Sequence, residues 1–243
     1  MNFKLHIWRQ HNANTQGYFE QFQIDVDENT SFLEMLDALN ERLILEGREA
    51  VAFDFDCREG ICGSCNLVIN GRPHGKHKAT TTCQQYMRDY VGEQELWIEP
   101  WRANAFPIVK DLIVDRGAFD RIIQAGGYIA ARTGSAPEAN TIAIDKQIAD
   151  DAFDAATCIG CGACVAVCPN ASASLFVAAK VSHLSTLPQG EMDSQRAYKM
   201  LDAMNQQGFG SCSNYRECER VCPKEISVTT ITTMNRLLYN NNK

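Results

Sequence analysis

The sequence predicts an α+β protein in which a mixed front domain, residues 1–104, is followed by an all-α rear domain, residues 105–243. Three observations support this prediction. Strand-like alternation and one amphipathic helix occupy the front part, and helical periodicity replaces strand signals after Trp101. Eleven cysteines form three groups, one in the front part and two in the rear part. The boundary is therefore expected near residues 102–107.

The strands of the front domain are predicted from alternating apolar residues that end at turn-forming residues. A polar turn, Asn12–Gly17, joins the first two strands, and a turn at Gly71–Pro73 follows the third. The four predicted strands are Lys4–Arg9, Tyr18–Val26, Asn66–Asn70 and Leu96–Trp101.

One helix is predicted between the second and third strands. Ser31 and Glu34 have the spacing of a capping box, and Gly47 is placed to end the helix. The apolar residues between them recur at helical spacing, as Phe32, Leu36, Leu39 and Leu43 do.

The rear domain is predicted to contain four helices. Pro107 is suited to open the first, whose apolar face would include Ile108, Leu112, Ile113 and Phe119, and Gly126–Gly127 would end it. A loop at Gly134–Asn140 follows, and the tail Asn240–Asn242 is expected to fray. The other helices are Ala171–Leu184, closed by Pro188 and Gly190, a helix through Ala197, Met200, Leu201 and Met204 that stops at Gly208, and Ile226–Leu238.

Composition excludes several classes of protein. A net charge of −7 argues against nucleic-acid binding, which requires a basic surface. No apolar run reaches the roughly 18 residues that span a bilayer, and the N-terminus lacks the pattern of a signal peptide. The chain itself is thus expected to be soluble and intracellular, where disulfides are disfavoured; an odd number of cysteines also fits disulfides poorly.

The first cysteine group has the spacing of plant-type ligands to a 2Fe–2S cluster. Cys57, Cys62 and Cys65 lie on one short loop, and Cys83 is a distant fourth ligand. Glycines at 60 and 63 would let the backbone pass close to the inorganic sulfides. Together with the strand and helix signals, this predicts a ferredoxin-like β-grasp domain.

Charged residues accompany this loop. Asp54, Asp56, Arg58 and Glu59 could tune the cluster or dock a partner, or could simply form a solvated rim. The histidines and lysines at residues 74–78 are interpreted as a mobile basic loop rather than a metal site, because no carboxylate or cysteine accompanies them in the sequence.

The rear cysteines have the spacing of a two-cluster bacterial ferredoxin, in which the last cysteine of each run binds the other cluster. The second run lacks one cysteine, and Tyr215 occupies its place. Three thiolates suit a 3Fe–4S cluster, although a Tyr215 phenolate could bind a fourth iron. The predicted ligands are Cys158, Cys161, Cys164 and Cys222 for a 4Fe–4S cluster and Cys168, Cys212 and Cys218 for a 3Fe–4S cluster.

Other interpretations of the cysteines remain open. Structural zinc also uses short Cys-x-x-Cys spacings, although zinc sites usually pair two such hooks across a loop. A free-standing multi-cluster ferredoxin-like electron carrier would have the same clusters, but it would need fewer residues per cluster. Proteins of the heterodisulfide- or glycolate-oxidase type share the rear motifs, but they usually lack a front 2Fe–2S domain.

Over nearly its whole length the chain resembles the iron–sulfur subunits of succinate dehydrogenase and fumarate reductase, the complex II family. The resemblance rests on residues 58–65 (REGICGSC), on residues 106–115 (FPIVKDLIVD, with Lys110 where arginine is common) and on the rear cysteine pattern. The loop Gly75–Thr82 before Cys83 is longer than in well-known members, which indicates a divergent branch.

The resemblance implies a role in electron transfer and no substrate-level catalytic residues in this chain. A flavoprotein subunit would carry FAD and act on succinate or fumarate. A membrane-anchor cytochrome b subunit, with haem b in many members, would complete a quinone site, so that this chain would lie on the cytoplasmic face of the cell membrane. Pro169 fits the wall of the quinone pocket, whereas Phe176 and His183 are interpreted as helix packing and surface.

Overall fold

The front sheet is described here from a computed structural model, which covers residues 1–93, 95–129, 138 and 143–240. Apart from Glu138, the predicted loop at 134–140 lies outside this range, as do residues 241 and 242 of the predicted tail. The sheet has the order β2-β1-β5-β3-β4, with β1 and β5 parallel and the other pairs antiparallel. Its strands are β1 (Asn2–Arg9), β2 (Tyr18–Asp25), β3 (Val68–Ile69), β4 (Arg72–Pro73) and β5 (Glu95–Glu99).

The predicted front helix is confirmed as α1 (Phe32–Leu45). Its capping box is complete: the Ser31 side chain accepts from the Glu34 N–H at 3.3 Å, and the Glu34 carboxylate accepts from the Ser31 N–H at 2.7 Å. The apolar face of α1 covers the sheet and is fully buried, which stabilises the fold by about 1.5–3 kcal/mol for each leucine.

Two predictions near the sheet are wrong in detail. The third strand is shorter than predicted, and residues 72–73 form the strand β4 rather than part of a turn, which tightens the turn to Asn70–Gly71. Both residues of this turn have positive φ, as two-residue hairpins require.

The helix predicted to start at Pro107 is also wrong. A hairpin of β6 (Ile108–Lys110) and β7 (Ile113–Val114) occupies its first part, and α2 (Gly117–Gly126) begins only afterwards. The reason is tertiary: the buried Asp111 has φ +46° at the hairpin turn, and its carboxylate accepts from two backbone N–H groups of the front domain. Local helical periodicity does not reveal these distant donors.

Within the described residues, six further α-helices build the rear part. The helix at residues 174–186 is largely buried, as expected for a core helix. Three of the six were not predicted, namely those at residues 146–156, 163–167 and 217–221. The helices are α3 (Lys146–Ala156), α4 (Ala163–Val167), α5 (Ser174–Thr186), α6 (Ser194–Gln206), α7 (Glu217–Val221) and α8 (Thr229–Asn240).

The α+β class is confirmed, with a front sheet domain and a helical rear domain. The boundary drawn after residue 104 stays a prediction, because the β6–β7 hairpin contributes Leu112 to the front core and Val114 to the rear core. Within the described residues, no helix combines the length and the apolar character needed to cross a bilayer.

Candidate metal centres

The four cysteines of the first group converge at one edge of the front domain. Cys57 and Cys62 are half-buried on an irregular loop between α1 and β3, while Cys65 and Cys83 are buried. Cys83 is held in a short 3-10 turn, Thr82–Gln84. The thiols of Cys65 and Cys83 share a hydrogen bond, and so do those of Cys57 and Cys62. We call this the first site.

Hydrogen-bond donors surround the sulfurs of the first site. The pKa of Cys57 is lowered to about 7, first by the Glu59 N–H, which donates to Cys57 Sγ at 3.3 Å, and then by the Ile61 N–H and the Cys62 thiol. In the buried pair, the shared hydrogen bond lowers the pKa of Cys83 and raises that of Cys65. Donors of this kind stabilise thiolates, the form of cysteine that binds metals.

The second site is a small cavity lined by thiols from both rear runs. Cys158, Cys161 and Cys164 line it together with Cys222, which comes from the other run. Burial raises the pKa of Cys161 to about 12. A thiolate at such a position requires a compensating cation, and the iron of a cluster provides one.

The third site is a small cavity near the surface of the rear domain. Cys168, Cys212 and Cys218 line it, and the side chain of Tyr215, 54% exposed, borders it in the position of the absent cysteine. The Asn214 N–H donates to Cys212 Sγ at 3.4 Å. Burial raises the pKa of Cys218 to about 11.

The crossing of the two rear runs follows from the packing of two short helices. In each run, the last cysteine stands directly after one of these helices, and α4 and α7 pack against each other. This arrangement places Cys168 beside the loop of Cys212 and places Cys222 beside the loop of Cys158. The side chain of Leu175, at the start of α5, lines both cavities, so the second and third sites are neighbours with this residue between them.

The sequence did not indicate how closely the first and second sites approach. Trp101 is fully buried, and its indole N–H donates to the Cys161 carbonyl oxygen at 2.9 Å. The ring of His74 meets the Trp101 ring edge-on at 5.3 Å between centroids. Nothing in the local pattern around Trp101 marks it as a contact to a loop 60 residues away.

The structure corrects the prediction for residues 74–78 at His74, which is buried, whereas His77 and Lys78 are exposed and the mobility of this part stays a prediction. His74 is 1% exposed and lies 3.2 Å from the Thr82 hydroxyl. Lys76 pairs with Glu93 at 3.2 Å, and His77 pairs with Asp89 at 3.3 Å. The β3–β4 hairpin buries the start of this segment, and Lys76 and His77 pair with carboxylates that are remote in the sequence.

Of the other predicted residues, Phe176 is confirmed as helix packing, with its ring stacked on Phe119 at 3.8 Å. His183 is half-buried rather than on the surface, and burial lowers its pKa. Pro169 is exposed directly after Cys168, and in the described part of the chain it is not among the residues that line the third cavity. Its place in a quinone pocket stays a prediction.

The thiols therefore surround three sites with four, four and three sulfurs. In the described part of the chain, no group of three or more His, Cys, Asp or Glu side chains is placed to hold a single metal ion. The sulfurs instead line cavities or face backbone donors, an arrangement suited to a larger group such as an iron–sulfur cluster.

Two family comparisons match the two parts of the chain. Residues 4–121 match the family described as a 2Fe-2S iron-sulfur cluster binding domain, and residues 154–226 match a 4Fe-4S dicluster domain. The fold and the sites thus define an iron–sulfur protein of the oxidoreductase class.

Whole-length relatives narrow this class. The succinate dehydrogenase iron-sulfur subunit of Bacillus subtilis (strain 168) is 29% identical over 95% of this chain and 90% of its own length. The fumarate reductase iron-sulfur subunit of Wolinella succinogenes is 27% identical over 88% of this chain and 86% of its own. Over nearly its whole length the chain is therefore similar to the iron–sulfur subunits of succinate dehydrogenase and fumarate reductase.

A solved structure supports the fold. A chain of the Mycobacterium smegmatis Sdh1 complex in the apo form superposes with a TM-score of 0.68 and 21% sequence identity. The match covers 99% of this chain and 96% of that one. The arrangement of a front sheet domain followed by a helical domain is therefore shared over the whole length.

Proposed function

We propose that this chain relays electrons within a succinate:quinone oxidoreductase or quinol:fumarate reductase. FAD in a flavoprotein subunit is the partner at one end, and quinone at a membrane anchor is the partner at the other. The proposed ligands are the cysteines of the first site for 2Fe–2S, of the second site for 4Fe–4S and of the third site for 3Fe–4S. Each cluster, when bound, accepts and donates one electron, whereas the flavin handles two.

One observation carries this proposal: the three sites form a continuous row. The loop of the first site touches the loop of the second, where a Cβ at Gly63 would lie 2.3 Å from the Ile159 carbonyl oxygen. The second and third sites share the side chain of Leu175. A row of this kind allows short transfers between neighbours, and it orders the relay as first, second and third site.

The ends of the row differ in a way that suits two partners. Phe55, just before the first loop, and Ile61, within it, are 48% and 59% exposed. At the other end, Cys212 and Tyr215 are exposed beside the third site. We assign the first end to the flavoprotein and the third end to the quinone site of the anchor, which would hold the chain on the cytoplasmic face of the membrane.

The test is spectroscopy and metal analysis of the complex purified from membranes. We expect about nine irons per chain, which is the sum over the three cluster types. A 2Fe–2S signal should appear on reduction and a 3Fe–4S signal on oxidation, and a FAD-bearing chain should co-purify. Zinc in place of iron would refute the ligand assignment. Recovery of the chain with its clusters but without a flavoprotein would favour a free-standing carrier.

A further inference from the structure

Arg116 joins the loops of the first and second sites directly. One guanidinium nitrogen, Nη1, donates to the Gly63 carbonyl oxygen at 2.8 Å and to the Gly160 carbonyl oxygen at 2.9 Å. Gly63 lies between Cys62 and Cys65, and Gly160 lies between Cys158 and Cys161. One side chain is thus bonded to the cysteine loops of two neighbouring sites.

The backbones of these loops are in van der Waals contact beneath Arg116. A Cβ atom at Gly63 would lie 2.3 Å from the Ile159 carbonyl oxygen and 3.2 Å from the Cys161 nitrogen. Because the loops are this close, the carbonyl groups of Gly63 and Gly160 both point at the Arg116 guanidinium. The Arg116 guanidinium supplies the positive charge and the donors that they need.

The charge of Arg116 lies against both loops, because its Nη1 is bonded to a carbonyl oxygen of each. Burial raises the pKa of the half-buried Asp54, which precedes the first loop, and the Arg116 cation opposes that rise. A cation in this position favours whichever state of a neighbouring centre carries more negative charge, which for an iron–sulfur cluster is the reduced state.

We propose that Arg116 is a positioning residue that holds the first two cluster loops at a fixed separation and raises the reduction potentials of both clusters. This inference rests on the proposed function, because it requires clusters at both sites. The third site provides an internal reference, since neither of the two loops that Arg116 bonds contributes to its cavity.

The test is a redox titration of the three clusters by EPR spectroscopy in the purified complex. Arg116→Met removes the charge and the donors at similar length. We expect the ratio of reduced to oxidised cluster at a fixed potential to fall about tenfold at the first two sites, or about 59 mV for a one-electron couple. The third cluster should stay within about twofold of the original ratio. Arg116→Lys keeps the charge, so the potentials of the first two clusters should stay close to those of the original protein.

Two further variants sharpen the result. Arg48→Met removes an exposed cation that pairs with Glu20 and Glu46, away from the cysteine loops, and should leave all three potentials unchanged. Arg116→Gln keeps N–H donors without the charge, and it replaces the Met variant if that variant does not retain its clusters.

The outcomes separate the two proposals. Unchanged potentials at the first two sites, or equal shifts at all three, would overturn the role of Arg116 while leaving the proposed function intact. Original protein without the 2Fe–2S and 4Fe–4S signals would refute both.

Discussion

Gly63 and Ile159, which lie on different domains, meet where the first and second cysteine loops touch. The contact leaves no room for a side chain, because a Cβ at Gly63 would lie 2.3 Å from the Ile159 carbonyl oxygen. The sequence suggested that this glycine makes room for inorganic sulfide. The structure shows a second reason for it, which is the close approach of the rear domain.

Replacing this glycine should therefore destabilise the contact between domains. Gly63→Ala and Gly71→Ala share the cost of a Cβ at positive φ, since the two glycines have φ +71° and +75°. Gly71 has open space around its Cα. We expect Gly63→Ala to lower the free energy of unfolding in urea by about 1–3 kcal/mol more than Gly71→Ala does. Equal losses would show that the loops can separate without cost.

The indole of Trp101 should matter through its N–H group as well as its size. Trp101→Phe removes the donor to the buried Cys161 carbonyl oxygen, and an unpaired buried acceptor costs about 1–3 kcal/mol. Trp8→Phe is the matched control, because the Trp8 N–H donates to Gln10 at 2.9 Å in a partly exposed position where water can replace it. Urea titration should show a larger loss of unfolding free energy for Trp101→Phe than for Trp8→Phe. The reverse order would contradict the role of this hydrogen bond in joining the two domains.

Tyr215→Cys should convert the third cluster towards 4Fe–4S. The change completes a four-thiol set with the three cysteines that line the same cavity. The oxidised 3Fe–4S signal should then disappear from the EPR spectrum, the potential of the third centre should fall and quinone reduction should slow. Tyr18→Cys adds an exposed thiol on β2 and should leave the signal in place. A persistent 3Fe–4S signal in Tyr215→Cys would refute the assignment.

The capping box of α1 predicts a pH-dependent stability. The hydrogen bond from the Ser31 backbone N–H lowers the pKa of Glu34 below its usual 4.5. A carboxyl group with a lowered pKa in the folded state stabilises the fold above pH 4.5 and loses this contribution as the pH falls through the folded pKa. Glu34→Ala should therefore destabilise at pH 7 by about 0.3–1 kcal/mol and cost progressively less below pH 4.5.

Urea titrations at several pH values test this expectation. The exposed Glu41→Ala, on the same helix, corrects for the change in helix propensity. A constant difference between the two variants from pH 7 to pH 3 would mean that the Glu34 charge contributes nothing.

The features predicted correctly from the sequence depend on neighbours along the chain. The strands β1 and β2, the capped helix α1 and the glycine stops at 47 and 208 follow from short-range periodicity and from caps. The grouping of the eleven cysteines belongs to the same kind of inference, because ligands on one loop are set by spacing. The structure places these cysteines around three sites, and the ligand assignments stay predictions.

The wrong predictions arise where contacts between residues far apart in the chain determine the local structure. The hairpin at 108–114 replaced a helix because Asp111 accepts from N–H groups on two other segments, at Gln10 and Ala52. In the segment at 74–78, His74 is buried, and Lys76 and His77 pair with carboxylates on the stretch that leads to β5. Periodicity does not report either contact.

The sequence by itself determined the chemistry of this protein, because the number and spacing of its thiols are local properties. Only the tertiary structure decided how the sites are joined. Trp101, Gly63 and Arg116 reach across the seam between the two domains, and such contacts exist only when segments far apart in the chain are packed together.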